Sequence, residues 1–429
     1  MKPNIVFILV DALRPKNLSL YGYPKETDKY IKKIASESIV FDLHFSTSNS
    51  SYPSLTSIFS GQYPTTHGIV HQYPNATKEE IDKLRKNKFW LPIYLKNLGY
   101  ETMALTPMSM WFKKGFSYIE EEKNTSNYRK FTNNKIVKKI LLKFPNSLYT
   151  FGKKLTKRKS SVKFPEPKET MELALSKIKK CEKPFFLFMH FEDTHFYYPN
   201  VKTPNVRGKI TLKKILEDIK DNSQKEYVKK RFFDAHAKYL EQIKLKCDNA
   251  IINIDKEIGK FYFSLKKQGI LDNTIFIIIA DHGDSIDEHG IYFSHAGVYE
   301  ETIHVPFIIK IPGMKHKRIN ELTQHTEIAP TIIDILREKS KVDMDGVSMM
   351  NLIKTGKPIR DKIICSDGLC KDSVAVRTKN KKLIIAKNSK CYLCGAEHSK
   401  GKEEYDLVKD PFEKNNIYDG ESELEKGYG

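Results

Sequence analysis

Residues 274–284 read TIFIIIADHGD, a run of aromatic and β-branched residues that stops at a polar cluster. A short apolar run of this composition is typical of a strand buried on both faces. The cluster that follows holds Asp281, His282, Gly283 and Asp284. Asp and Gly also make ordinary turns with a cap, so the cluster alone leaves open whether it carries chemistry.

A similar arrangement occurs twice more. Residues 5–10 and 185–189 are apolar, strand-like runs. The polar residues that follow them are Asp11 after the first run, and His190, Asp193 and His195 after the second. Ligands of open α/β sheets bind beyond the carboxyl ends of the strands, so we expect Asp11 and His195 to lie beside residues 281–282 in one pocket.

Helical patterns separate the strands, for example residues 248–267 with apolar side chains on one face. This alternation predicts an α/β fold with a mostly parallel central sheet flanked by helices. Short strand-like runs at 374–378 and 382–386, separated by Lys and Asn turns, predict a small antiparallel subdomain at the end of the chain. We therefore expect a catalytic domain over 1–357 and a small α+β subdomain over 358–429.

A candidate nucleophile lies in residues 46–68, STSNSSYPSLTSIFSGQYPTTHG. Pro53 and the apolar spacing after it predict a helix that stops at Gly61. Ser51 would then sit at the helix N-terminus, where backbone N–H groups and the helix dipole stabilise an oxyanion. The alternative is that Ser51 only caps the helix.

The composition indicates a globular protein, with 429 residues of which 40% are hydrophobic. The first residues lack the pattern of a cleaved signal peptide, and no apolar run reaches the length of a membrane span, so we expect a cytoplasmic protein. The net charge of +20 suggests an anionic partner. No RNA- or DNA-binding motif accompanies this charge, so specific nucleic-acid recognition is not expected.

Residues 127–164 form a basic insertion with ten Lys, two Arg and no acid. Its apolar residues lie among the lysines, so the part over 135–159 is compatible with peripheral contact to an anionic membrane or with a cover over the active-site mouth. The alternative is a solvated insertion docked on the domain.

Four of the six cysteines lie close together near the end of the chain, as Cys365-x4-Cys370 and Cys391-x2-Cys394. This spacing loosely resembles a zinc ribbon, although the first knuckle is too long. Packed, reduced thiols are the alternative.

Several segments together resemble the sulfatase branch of the alkaline phosphatase superfamily. They are NIVFILVDALRPKNLSLYGY (4–23), SYPSLTSIFSGQYPTTHG (51–68), PFFLFMHFEDTHFYYP (184–199), IIIADHGDSIDEHG (277–290), FSHAGVYEETIHVPFIIKIPG (293–313), TEIAPTIIDIL (326–336), VAVRT (374–378) and EEYDLVKDPFEKNN (403–416). The resemblance spans nearly the whole chain. It implies an alkaline-phosphatase-like fold and a hydrolase of sulfuric or phosphoric esters.

The resemblance also implies a ligand set for one divalent metal ion: Asp11, Ser51, Asp281 and His282. One imidazole among oxygens favours Mn²⁺ or Zn²⁺ somewhat over Ca²⁺. Ser51 is then the nucleophile, with His195 and His295 flanking the transferring group as anion ligand and proton donor in an order left open.

Two positions depart from the family pattern. Leu55 replaces the Arg that usually accompanies oxidation of the nucleophile to formylglycine, so Ser51 is expected to act as an ordinary hydroxyl. Ala12 replaces a second metal-binding Asp. The remaining set resembles that of phosphonate monoester hydrolases and phosphoglycerol transferases.

The expected substrate is an anionic sulfate or phosphate ester, carried on a glycan or a lipid. A transferase that passes a phospho-alcohol group to an acceptor other than water, and a catalytically silent relative that binds an anionic glycan, are the alternatives. His190 is expected to be a packed residue outside the ligand set, and His67, His289 and His304 to be structural. Asp284 is expected to be a turn acid, and a further metal ligand is the alternative.

Overall fold

The computed structural model describes residues 2–108, 110–120, 166–195, 201–370, 373–386, 390–396, 398 and 401–426. The predicted basic insertion, including 135–159, lies outside the described residues. Within them, no helix combines the length and the apolar character that crossing a membrane requires.

A central sheet organises the larger part of the chain. Its strands are β1 (Asn4–Val10), β2 (Ile39–Phe45), β3 (Glu101–Leu105), β4 (Tyr118–Glu120), β5 (Phe185–Phe191), β6 (Thr274–Ile279), β7 (Phe307–Lys310) and β8 (Lys317–Gln324), in the spatial order β4-β3-β5-β1-β6-β7-β2-β8. All neighbouring pairs are parallel except those of β7, which runs antiparallel to β6 and β2. The predicted mostly parallel sheet is confirmed.

The helices in the described residues are α1 (Lys29–Ala35), α2 (Ser51–Ser60), α3 (Pro64–His67), α4 (Lys78–Arg85), α5 (Leu91–Asn97), α6 (Pro167–Ile178), α7 (Leu212–Asp218), α8 (Asn222–Asp234), α9 (Leu240–Lys267), α10 (Glu300–Ile303), α11 (Ile328–Ile335) and α12 (Met350–Thr355). They cover both faces of the sheet. Along β1, Ile5, Phe7 and Leu9 belong to one apolar cluster and Val6, Ile8 and Val10 to another. Burial on both faces explains why β1 is a continuous apolar run.

A second, antiparallel sheet lies at the end of the chain. Its strands are β9 (Lys362–Ser366), β10 (Val374–Thr378), β11 (Lys381–Ala386) and β12 (Gly401–Asp406), in the order β12-β11-β10-β9. Its first strand meets the segment before α2, where the Ser366 N–H donates to the Thr47 carbonyl oxygen over 3.0 Å. The predicted small antiparallel unit is confirmed, and the boundary at 357/358 stays a prediction.

Candidate active site

The candidate site lies where three adjacent parallel strands end. β1 lies between β5 and β6 in the sheet, and their carboxyl ends deliver Asp11, His190 and Asp281 to one edge. The Asp11 N–H donates to the Phe191 carbonyl oxygen over 2.8 Å, which continues the β1–β5 ladder up to the first acid. Chain segments far apart in sequence thus meet at one point.

Gly283 is required by a close backbone contact. A β-carbon at this position would lie 2.0 Å from the Glu301 carbonyl oxygen, a distance that no side chain tolerates. The Gly283 N–H also donates to the Thr302 carbonyl oxygen over 2.9 Å. The loop after β6 is therefore held against α10, and this contact fixes the positions of Asp281 and His282.

Asp11, Asp281 and His282 form a compact, buried group of ligand atoms. All three side chains are almost inaccessible to solvent, and one ligand atom from each lies within 4.8 Å of the others. His282 Nε2 is 3.6 Å from Asp11 Oδ1 and 3.6 Å from Asp281 Oδ2. The second oxygen of Asp281 accepts from the backbone N–H groups of Ala12 and His282.

The ring orientation of His282 decides which nitrogen faces this group. Nδ1 lies 2.7 Å from the Gly283 carbonyl oxygen, so Nδ1 carries the proton and donates it there. Nε2 then presents a lone pair to Ser51 Oγ, which is 3.1 Å away. This is the tautomer that a metal-binding imidazole needs.

Ser51 is the first residue of α2 and is 5% exposed. Its hydroxyl lies beside both carboxylates, of Asp11 and Asp281, as well as His282. The predicted stop at Gly61 is present, with φ of 68°. The structure thus brings together Ser51, Asp11, Asp281 and His282, the four residues proposed from the sequence as ligands.

The donor set fits a divalent cation. Asp11 Oδ1 and Asp281 Oδ2 are buried without a hydrogen bond of normal geometry to any described group, and these are the atoms that face His282 Nε2. Burial and the Asp281 carboxylate raise the pKa of Asp11 well above its usual range. Two carboxylates cannot both ionise cheaply in such a place unless a cation offsets their charge.

His195 and His295 lie next to this group. The rings of His282 and His295 stack with centroids 4.2 Å apart, and the His195 ring lies 5.9 Å from His295 and 6.5 Å from His282. His295 Nδ1 donates to the Asn49 carbonyl oxygen over 2.5 Å, which turns Nε2 away from the segment before α2. Both flanking histidines proposed from the sequence are therefore at the site.

Crowding of imidazoles affects their protonation. Burial and the neighbouring His282 lower the pKa of His295 to about 3. Burial, His295 and His282 likewise lower the pKa of His195 well below its usual value. Both rings are neutral at physiological pH in the ligand-free protein, and an anion between them would favour the protonated forms.

The remaining histidines take other positions. His190 Nε2 is 3.3 Å from Asp11 Oδ2, so this ring is a partner of the acid on the side away from the ligand group. His67 bonds to Ser57, His304 to the Asp42 carbonyl oxygen, and His289 pairs with Glu301. Asp284 is buried in the loop after β6, and burial, opposed by Arg14 and Arg231, raises its pKa to about 7.

Sequence reasoning missed the residues that hold the segment before Ser51 in place. The buried Asn49 side chain donates to the Asp367 carboxylate over 2.8 Å and to the Gly297 carbonyl oxygen over 2.9 Å. Asp367 comes from the loop after β9, more than 300 positions along the chain. Only the short spacing of Asn49 from Ser51 could have indicated a role.

Arg231, on α8, is a second residue without a sequence signal. It is buried and lies close enough to His195 to lower the pKa of that ring, after burial and the two other histidines. Its Nη2 donates to the Tyr227 hydroxyl over 2.9 Å. It supplies positive charge near the place where an anion would bind.

Comparison with known proteins identifies the family. The family model described as Sulfatase matches residues 3–338, and the model described as N-sulphoglucosamine sulphohydrolase, C-terminal, matches residues 287–426. An arylsulfatase of Clostridium perfringens is 25% identical over 469 aligned residues, which cover 99% of this chain and 92% of that protein. An ulvan-active sulfatase of Formosa agariphila is 24% identical, with 83% of this chain and 59% of that protein covered.

Solved structures show the same fold. A 2-O GAG sulfatase matches with a TM-score of 0.69 and 20% identity, covering 98% of this chain and 88% of the other. A protein solved in complex with its substrate D-glucosamine-2-N,6-O-disulfate has a TM-score of 0.67 at 19% identity, with 98% and 94% covered. The phosphonate monoester hydrolase of Agrobacterium radiobacter has a TM-score of 0.64 at 17% identity, with 97% and 91% covered.

The Sulfatase model covers more than half of the chain, and a solved sulfatase shares its fold. The chain belongs to the sulfatase family and is a hydrolase of ester bonds.

Proposed function

We propose that this protein hydrolyses a sulfuric or phosphoric ester with Ser51 as an unmodified nucleophile and one divalent metal ion at Asp11, Ser51, Asp281 and His282. The observation that carries the proposal is the position of Ser51 Oγ, 3.1 Å from His282 Nε2 and beside two buried carboxylates. A serine that only caps a helix has no need of such neighbours.

A cation in this group would supply charge neutralisation and lower the pKa of a coordinated hydroxyl. The side chains and backbone groups of the chain supply the other contributions. The carboxylates of Asp11 and Asp281 lie beside the Ser51 hydroxyl. The backbone N–H groups at the N-terminus of α2 favour negative charge on the hydroxyl oxygen. Ser51 Oγ attacks sulfur or phosphorus and gives its proton to one of the two buried carboxylates, an O–S or O–P bond forms, and the bond to the leaving alcohol breaks. Water then attacks the ester on Ser51, which releases sulfate or phosphate and restores the serine hydroxyl.

The two flanking imidazoles are suited to bind the anionic group and to protonate the leaving oxygen. An anionic ester between His195 and His295 raises their pKa values, since opposite charge favours the protonated ring. One ring then donates a hydrogen bond to a non-bridging oxygen, and the other gives its proton to the leaving oxygen. Arg231 adds positive charge beside His195.

The residue Leu55 bears on the chemical state of Ser51. Its side chain is fully buried in the apolar cluster that contains Phe59 and Phe188. This position therefore offers no basic group, and we propose that Ser51 remains a hydroxyl. A sulfated or phosphorylated saccharide is the substrate class to test first, because the relatives named above include glycan sulfatases.

The experiment compares Ser51→Ala with Ser54→Ala, one turn along the same helix, whose hydroxyl donates to the Ser48 carbonyl oxygen. With Mn²⁺ and a panel of aryl sulfate, aryl phosphate and phosphodiester substrates, Ser51→Ala should lose at least about a thousandfold in kcat, of the order reported for loss of a covalent nucleophile. Ser54→Ala should keep most of the activity. Equal activity of Ser51→Ala and wild type would contradict the proposal.

Mass spectrometry of the peptide containing Ser51 tests the chemical state directly. Oxidation to formylglycine removes two hydrogens, so the unmodified mass is expected throughout. Activity confined to a population that carries the oxidised mass would show that the serine is a precursor rather than the nucleophile.

A further inference from the structure

A second cluster of metal-binding side chains lies in the C-terminal unit, away from the strand-end acids. Cys391, Cys394 and His398 place one ligand atom each within 4.8 Å of one another. Cys394 Sγ is 2.9 Å from His398 Nε2. Cys391 Sγ also lies within hydrogen-bonding reach of the Cys370 thiol, so the cluster has four members.

The four members do not match the four cysteines grouped by the sequence spacing. Cys365 lies on β9, where its thiol donates to the Ser46 carbonyl oxygen over 3.0 Å. His398, rather than Cys365, is the fourth member of the cluster. The resulting order is Cys370-x20-Cys391-x2-Cys394-x3-His398, which contains the short Cys-x2-Cys knuckle typical of zinc sites.

Burial argues against a cluster of ordinary thiols. Cys370, Cys391 and Cys394 are each 5% exposed or less. None of the six cysteines, all within the described residues, is in a disulfide. Thiols are weak hydrogen-bond donors and acceptors. Three thiols packed with an imidazole therefore stabilise the fold less through hydrogen bonds to one another than through binding a shared cation.

The backbone around the cluster has the form of a ligand knuckle. The Leu393 N–H points at Cys391 Sγ over 3.4 Å, and such N–H groups stabilise the charge of a thiolate. The Gly395 N–H donates to the Cys391 carbonyl oxygen over 2.8 Å and closes the turn. On the other side, Asp367 Oδ1 accepts from the Cys370 N–H over 2.9 Å and orients that residue.

We propose that Cys370, Cys391, Cys394 and His398 bind one Zn²⁺ ion as a structural site. Three thiolates and one imidazole form a closed tetrahedral set of the kind that Zn²⁺ occupies in structural sites. Tetrahedral zinc with Zn–S bonds of about 2.3 Å places sulfurs about 3.8 Å apart. The ligand atoms of Cys391, Cys394 and His398 already lie within 4.8 Å of one another, and Cys370 joins them through its contact with Cys391. This proposal does not rest on the proposed ester hydrolysis.

The zinc site would brace the active site from outside. It connects the knuckle at 391–398 to the loop at 367–370, and the Tyr392 N–H already donates to the Leu369 carbonyl oxygen across this junction. The loop carries Asp367, which holds Asn49, two residues before Ser51. Zinc is therefore expected to stabilise the position of the nucleophile without touching substrate.

Cobalt substitution tests the site with the full-length protein. Cobalt bound by thiolates gives an intense sulfur-to-metal charge-transfer band, and the ligand group at Asp11, Ser51, Asp281 and His282 contains no sulfur. In the wild-type protein we expect this band with an intensity that corresponds to one thiolate-bound cobalt ion per chain. Protein purified without chelators should contain one zinc ion per chain at the same site. Cys391→Ser should lose the band, whereas Cys181→Ser, a cysteine outside the cluster, should keep it.

His398→Cys provides a variant that keeps four ligands. It should retain metal and shift the charge-transfer band to longer wavelength, because a fourth thiolate replaces the imidazole. If Cys391→Ser fails to fold, the wild-type and His398→Cys spectra still decide the matter. Absence of the band in wild type, an unchanged spectrum in His398→Cys, bound iron in place of zinc, or a native disulfide among the three cysteines would overturn the proposal.

Discussion

Replacement of Asn49 by Ala tests how the C-terminal unit supports Ser51, the proposed nucleophile. The Asn49 side chain is fully buried and bonds to Asp367, Gly297 and the Gly368 N–H at 2.8 to 2.9 Å. Truncation leaves the buried Gly368 N–H without its acceptor, at a cost of about 1–3 kcal/mol. It also removes a hydrogen bond to a carboxylate, which contributes about 1.5–3 kcal/mol.

The expected loss in the free energy of unfolding is therefore about 2.5–6 kcal/mol, measured by urea denaturation followed by circular dichroism. Because the Asn49 carbonyl oxygen orients His295 and Ser51 follows two residues later, kcat should also fall by at least about tenfold. Asn351→Ala, at an exposed position on α12, is the matched control and should change neither quantity.

Two results would refute this reasoning. A loss of stability below about 1 kcal/mol, the net value of a single ordinary hydrogen bond, would mean that water or a rearranged loop replaces all three contacts. A large loss of stability with unchanged kcat in the folded fraction would mean that the Asp367–Asn49 connection supports the fold but not the nucleophile.

Three further predictions concern buried titrating groups and charge. Burial lowers the pKa of His67 from 6.5 to about 3, so the stability it contributes is complete above pH 6.5 and is lost as the pH falls toward 3. Urea denaturation should show a slope of up to about 1.4 kcal/mol per pH unit in this window, reduced in His67→Gln; an unchanged slope would contradict the assignment. Although burial opposes it, Arg377 and the fully buried Lys382 lower the pKa of Glu300 from 4.5 to about 2, so its contribution is present above pH 4.5 and is lost as the pH falls toward 2. Glu300→Gln should cost about 3 kcal/mol at pH 7 in the same measurement, because it leaves a buried cation short of a partner, and a cost near zero would count against the network. The charge of +20 should draw an anionic ester to the site, so kcat/KM should fall several-fold as NaCl rises from about 0.05 to about 0.5 M while kcat stays constant; insensitivity to salt would exclude such steering.

Much of the fold was predictable because the strands of the central sheet are buried on both faces. Such strands appear in the sequence as uninterrupted apolar runs, and β1, β5 and β6 all have this form. The acids and imidazoles that end them were predictable for the same reason, since parallel strands end at one edge. The antiparallel direction of β7 was not predicted, because a four-residue buried strand has no pattern that distinguishes its direction.

The support around the site was harder to predict. Asn49, Asp367 and Arg231 act through contacts between segments distant in sequence, and each looks like an ordinary polar residue in its own segment. The membership of the cysteine cluster was also only partly predictable from the sequence. Spacing indicated Cys365 as a member, but its direction on β9 turns the thiol toward Ser46, and His398 was recognised only from its position in space.

The order of strands in the central sheet also determines when the site can form during synthesis. β1 pairs with β5 and β6, and the Ala12 N–H reaches the Asp281 carboxylate across a separation of 269 residues. A ribosome that adds about 5–20 residues per second needs roughly 15–50 s between these two positions. During that interval Asp11 has no partner acid, so a nascent chain lacks the complete group of ligand atoms. If the proposed ion binds there, it binds only after β6 has been translated, and a chain that stops before β6 cannot assemble the group.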